Sequence, residues 1–192
     1  MTAKHVTLAL PVEQSAALIE PMLSRSDELR AIHRLFGMVT SVPSLTLLAG
    51  YPMDAAAPAW DMQYPDDNAV LLVSNDSAKR ADPRHRVLVI QATPAWSRAR
   101  LNAPTDAWSR ELLTAAAKYV GAWCENPTWL QSHRWRYARV DRGNELANPV
   151  LVRLGAGTTL GLAGDVFSAG GGIQAAWRSG RGLGRRMTEQ KG

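Results

Sequence analysis

Cysteine and phenylalanine are scarce in this sequence. Cys124 is the one thiol in 192 residues, and only two phenylalanines accompany it. A single cysteine excludes an internal disulfide and any zinc or iron–sulfur site assembled from several thiolates of one chain. It points to a reducing compartment. Long apolar runs are missing as well. The longest, such as residues 70–73 and 87–90, are strand-sized, far short of the roughly twenty residues a membrane helix needs. Residues 6–10 are apolar but too short for a secretory signal, and Pro11 stops them. These absences predict a cytoplasmic protein with no membrane partner. Nucleophile signatures are absent too: no S-x-x-K, G-x-S-x-G or P-loop pattern occurs. His5, His33, His85 and His133 include no pair at metal-ligand spacing. Neither a catalytic triad nor a metal is expected.

What is present reads as globular. The chain is 46% hydrophobic and 20% charged, too apolar for a disordered tail. Its length allows one domain or two small ones, with a core that needs no covalent staple. The net charge is +5, from 22 basic and 17 acidic residues. The excess sits at the end, where Arg178, Arg181, Arg185, Arg186 and Lys191 crowd together. Cations of this kind suit the negative pole of a helix. They also suit an acidic surface or nucleic acid. The helix-end reading is the simpler one, and nucleic acid is not the expected partner.

The pattern along the chain predicts an α+β fold. Residues 6–10 read as a buried strand, and Pro11 opens a helix. Ser26 and Asp27 cap a second helix through Leu29, Ile32, Leu35 and Phe36. Residues 45–51, 69–75 and 86–92 read as strands between Pro, Asp and Asn turns. The loop 52–65 ends in Trp60, Met62 and Tyr64, a patch for core packing or for a pocket wall. Thr105 or Asp106 caps a long helix with Trp108, Leu112, Leu113, Tyr119, Val120 and Trp123 at helical spacing. Cys124, at its end, reads as a packed thiol. Residues 129–140 form a strand with His133, Trp135 and Tyr137 on one parity and Arg134 and Arg136 on the other. A mostly antiparallel sheet spanning residues 39–140 is the expected centre of the fold.

The last third holds the most informative pattern. Residues 158–163 read as a short strand, followed by Gly164 and Asp165. Gly170, Gly171 and Gly172 then lead into an amphipathic helix from Ile173 to about Met187. Glycines at a helix start let another molecule approach the backbone, where N–H groups without intrahelical partners suit a phosphate or an electron-rich carbonyl. Asp165 is an acceptor placed for a sugar hydroxyl. The alternative is a tight turn whose glycines serve only close helix packing. Gly155, Gly157 and Gly161 have a spacing near a dinucleotide fingerprint, but they precede a strand rather than open a helix, so they are not one.

Four stretches together resemble the C-terminal half of renalase-like, flavin-containing amine oxidase proteins. They are residues 6–18 (VTLALPVEQSAAL), residues 69–80 with 87–97, residues 132–140 (SHRWRYARV), and residues 161–183 (GLAGDVFSAGGGIQAAWRSGRGL). The last resembles that family's C-terminal flavin-contacting motif. The resemblance implies FAD as cofactor, with Gly164 and Asp165 facing its ribityl and pyrophosphate portion. It places Gly171, Gly172 and Ile173 beneath the isoalloxazine ring. Trp135 and Tyr137 would meet the substrate, a small amine or a dihydronicotinamide-type molecule. It further implies that residues 1–25 and 150–192 are a remnant of a flavin-binding, Rossmann-like domain, and that 26–149 form a substrate-binding domain. The family's first half carries G-x-G-x-x-G, which has no counterpart in this sequence. The expectation is therefore an FAD-dependent oxidoreductase subunit or fragment, active only when a dinucleotide-binding partner or a missing N-terminal half completes it. The alternative is a non-catalytic ligand- or partner-binding module derived from such a domain.

Overall fold

A computed structural model describes residues 3–155 and 157–189. Lys191 lies outside them. The chain divides into two compact units, residues 1–42 with 137–192, and residues 43–136.

The first unit holds a three-stranded sheet. Its strands are β1 (His5–Leu8), β7 (Val150–Arg153) and β8 (Thr159–Leu162), in the order β1-β8-β7. β1 runs parallel to β8, from His5 opposite Thr159 to Leu8 opposite Leu162. β7 is antiparallel to β8. Pro11 precedes helix α1 (Val12–Ile19), as its fixed φ favours. Ser26 caps α2 (Asp27–Phe36), its Oγ accepting from the Leu29 N–H at 3.3 Å. Val12, Ile19, Leu29, Ile32 and Phe36 from these helices pack with Val152, Leu160, Leu162 and Phe167. The Phe36 and Phe167 rings meet edge to face at 6.1 Å. Leu183 of helix α5 (Gly172–Glu189) reaches β8 at Gly161. A Cβ at Gly161 would fall 2.8 Å from Leu183 Cδ2 and 3.2 Å from Thr7 Oγ1. A methyl at Gly161 would force the Leu183 side chain to shift.

The second unit is centred on a five-stranded sheet. β2 (Ser41–Tyr51), β3 (Met62–Gln63), β4 (Val70–Asn75), β5 (Arg86–Ala92) and β6 (Trp129–Val140) stand in the order β3-β4-β5-β2-β6. The pairs β3–β4, β4–β5 and β2–β5 are antiparallel. Alternation decides the faces. Leu45, Leu47, Ala49 and Tyr51 of β2, with Leu88 and Ile90 of β5, turn to one side. There they bury against Trp108, Leu112, Leu113 and Ala116 of a long helix. Two helices occupy this stretch: α3 (Pro94–Arg100), capped by Thr93 Oγ1, and α4 (Thr105–Val120).

The start of α4 corrects one expectation. Neither Thr105 nor Asp106 caps it: Pro104 holds that position and no side chain accepts from the first turn. The Thr105 hydroxyl instead accepts from Arg134 Nη2 at 2.8 Å, while the same nitrogen reaches Ala103 O at 2.6 Å. Arg134 thereby ties β6 to the helix start without capping it, since a guanidinium donates and the first N–H groups need an acceptor. Cys124 is fully buried, and the Tyr51 hydroxyl donates to its carbonyl at 2.7 Å. Burial pushes both the thiol and the phenol up, so Cys124 is held as an inert thiol.

Candidate functional site

In the first unit, the loop after β8 and the start of α5 wall a cavity of about 590 Å³. That is the scale of a small-molecule site. Gly164, Asp165, Gly172, Ile173 and Tyr137 all line it. Five residues drawn from three separate stretches of sequence thus meet at one place. Gly171 does not line the cavity. A Cβ there would lie 3.5 Å from Val140 Cγ1, turned toward packed protein.

Two local devices shape this wall. Gly170, Gly171 and Gly172 take φ values of +89°, +59° and +72°. Three successive residues in the left-handed region require glycine, since a Cβ costs roughly 1–2 kcal/mol at each. At Gly170 and Gly172 a Cβ would meet nothing within 4 Å, so the bare backbone there is open to a ligand. The second device is Ser179. Its Oγ accepts from the Gly164 N–H at 2.9 Å and lies 2.7 Å from the Gly164 carbonyl and 3.0 Å from that of Ala176. One buried hydroxyl of α5 therefore holds both backbone groups of Gly164, which sits at φ +153°. Sequence reading missed this clamp, because a serine inside a helix carries no signal of its own.

The lining is largely apolar, from Pro11, Val12, Val166 and Leu183, with Asp165, Arg139 and Ser41 as polar points. A backbone donor edge, an apolar floor and one carboxylate suit a flat polar ring joined to a hydroxylated chain. Gly155 and Gly157 occupy the turn before β8 and Gly161 lies inside it. None of them opens a helix, which bears out their rejection as a dinucleotide fingerprint.

Trp135 lies elsewhere. It lines a cavity of about 660 Å³ in the second unit, on the sheet face opposite α4, with Thr46, Leu48, Val89, Gln91, Gln131 and His133. Its ring and that of His133 are 4.1 Å apart. Trp135 and Tyr137 thus share a strand and a parity but line different cavities. Of the loop aromatics, Trp60 packs against the core, whereas Met62 and Tyr64 are exposed. Among the terminal cations, Arg186 donates to the Pro149 carbonyl at 2.6 Å and Arg181 stacks on exposed Trp177. No described helix is long and apolar enough to cross a membrane.

No family model matches the sequence. Its fold does match solved structures. Cyclohexylamine oxidase from Brevibacterium oxydans IH-35A superposes with a TM-score of 0.63 at 15% identity, over 99% of this chain and 44% of that one. An oxidoreductase from Methanosarcina mazei gives 0.64 at 16%, over 98% and 43%. Putrescine oxidase bound to putrescine gives 0.59 at 15%, over 95% and 42%. At these identities the likeness is one of fold. This chain has the mixed α+β architecture of part of an amine oxidase and spans less than half the length of each of these proteins.

Proposed function

We propose that this chain is the substrate-domain half of an FAD-dependent oxidoreductase of the amine oxidase type, renalase-like in its motifs. The single observation that carries the reading is the convergence of Gly164, Asp165, Gly172, Ile173 and Tyr137 on one cavity. The fold shared with amine oxidases supports it. The residues present fit a flavin. Gly172 lines the cavity with bare backbone, and a Cβ there would stand in the open space.

When bound, the flavin supplies hydride acceptance from the substrate, which explains why no protein nucleophile is needed. The chain's own residues bind and orient. The first N–H groups of α5, at Gly172 and Ile173, would offer the positive end of the helix dipole to negative charge on a bound flavin. Asp165 would accept from a hydroxyl of the flavin's ribityl chain. Ser179 holds Gly164 so that its loop keeps its shape, and the apolar floor excludes water.

A flavin-domain segment carrying G-x-G-x-x-G completes the site in this reading. More than half of each similar structure has no counterpart here. The edge strand β1 supports the same idea. Parallel strands are normally buried and paired on both sides. β1 pairs only with β8 among the described residues, and Val6 and Leu10 are exposed. We assign the segment to that edge, whether it lies on this polypeptide or on another.

The test is to isolate the protein from its native cells, record its visible absorption, and weigh every co-eluting chain. The expected result is a flavin spectrum together with a G-x-G-x-x-G-bearing segment. A colourless protein without that segment overturns the reading and favours a non-catalytic ligand-binding module.

A further inference from the structure

A second cavity of the first unit, of about 510 Å³, lies against the start of β8, whereas Gly164 follows the end of that strand. Strand register builds its floor. His5 stands opposite Thr159 in the parallel pair, and Arg153 stands opposite Thr159 in the antiparallel pair. The three form one row across the sheet, with strands about 4.8 Å apart and side chains on a common face. Leu151, opposite Gly161, holds the next row on that face. All four residues line the cavity. Met187 and Thr188, from the last turn of α5, and the turn residues Gly155, Gly157 and Thr158 complete the described lining.

The charges there are of one sign. The described lining holds a guanidinium and an imidazole but no carboxylate. None of the four ion pairs among the described residues involves Arg153. Thr159 Oγ1 lies 2.8 Å from His5 Nδ1, which leaves Nε2 for another partner. The Thr188 hydroxyl donates to the Arg185 carbonyl at 2.8 Å and has only acceptor capacity left. Gly155 and Gly157, at φ +83° and +71°, present bare backbone, since a Cβ at either would meet nothing within 4 Å. The negative pole of α5 ends nearby with roughly half an elementary charge. The full charge of Arg153, spread over a fork of five N–H donors, outweighs it. His5 and Arg153 are both exposed, so this is a cleft open to water rather than a closed chamber.

We propose that this cleft binds a small molecule through a terminal oxyanion, a carboxylate or a phosphate, seated on the His5–Thr159–Arg153 row. The guanidinium fork matches the paired oxygens of either group. Leu151 and Met187 give an attached apolar body something to pack on. The site is separate from the cavity assigned to flavin, and the proposal does not depend on that assignment.

The test titrates the full chain, at low ionic strength because an open site is screened by salt. The probes are phenyl phosphate, benzoate and the uncharged benzyl alcohol, which share a ring and differ in the terminal group. Backbone amide shifts at Gly155, Gly157 and Thr159 report binding at the cleft. The expected result is that at least one anion moves these signals and binds about tenfold or more tightly than benzyl alcohol. Tighter binding of phenyl phosphate identifies the group as a phosphate, and tighter binding of benzoate identifies a carboxylate. Arg153→Gln weakens the preferred anion about tenfold or more, and Thr159→Val weakens it about threefold. The rest of the backbone spectrum verifies that each variant is folded. Benzyl alcohol binding as tightly as both anions overturns the proposal. So does anion binding unchanged in Arg153→Gln, or an absence of shifts with every probe. Shifts confined to Gly164, Gly172 and Ile173 also overturn it, because the anion then occupies the other cavity. The flavin reading is tested separately by the visible spectrum.

Discussion

Seven of the eight glycines with positive φ among the described residues lie in the first unit; only Gly121 lies in the second. The second unit is instead packed by side chains, with Trp108, Leu112, Leu88, Ile90 and Tyr51 all at or near zero exposure. One unit makes its cavity wall from main chain, where shape comes from what is absent at Cβ. The other makes a core from large side chains on one sheet face. The two units therefore lean on different features: large buried side chains in the second, left-handed glycines in the first.

The largest expected effect is in the second unit. Trp108 is fully buried between α4 and the sheet. Trp108→Ala should lower stability by about 3–5 kcal/mol, read as a fall in the urea midpoint. A loss under about 1 kcal/mol would show that this core is not organised around α4. The converse change in the first unit is smaller. Gly161→Ala places a methyl 2.8 Å from Leu183 Cδ2 and should cost about 1–3 kcal/mol. A neutral result in the same urea titration would mean that α5 yields freely, and the contrast between the units would disappear.

The smallest effect is a pH dependence that belongs to the second unit alone. Asp67 Oδ1 accepts from the N–H groups of Val70 and Ala69 at 2.8 and 2.6 Å, and Oδ2 accepts from Tyr119 OH at 3.1 Å. The bond from Val70 leads in holding its carboxyl below the ordinary value. A depressed folded pKa means stability present above the unfolded value, near 3.9, and lost as pH falls through the lower folded value. The urea midpoint should therefore drop on acidification in that window. Asp67→Asn should flatten the dependence, and an unchanged acid slope in that variant would remove Asp67 as its source.

How much of this was legible depends on whether the signal was local. The apolar stripe of α4 was readable because residues three and four apart share a face. The parity of β6 was readable for the same kind of reason: His133 and Trp135 stack, while Arg134 and Arg136 reach Thr105 and Asn102 on the other side. Ser26 capped its helix as expected. Thr105 did not: Pro104 holds the cap position, and the Thr105 hydroxyl accepts from Arg134. β7 went unread because four residues become a strand only through pairing with β8. α3 went unread because its short segment, WSRAR after Pro94, has no apolar period; Thr93 and Pro94 supply its start. Of the candidate site, the glycines and Asp165 stood out in sequence, since left-handed backbone leaves few other residue choices. The partition of Trp135 and Tyr137 into separate cavities did not, because alternation assigns a face and says nothing of what covers it.

The Ser179 clamp sets a rule about length. Its hydroxyl must face Gly164 from a fixed angle on α5, and each helical residue turns that angle by about 100°. One residue inserted between Gly172 and Ser179 would swing the hydroxyl away and leave both backbone groups of Gly164 without their partner. An insertion beyond Thr188 would change nothing at the loop. Gly164 and Ser179 stand fifteen positions apart, and the clamp fixes that separation.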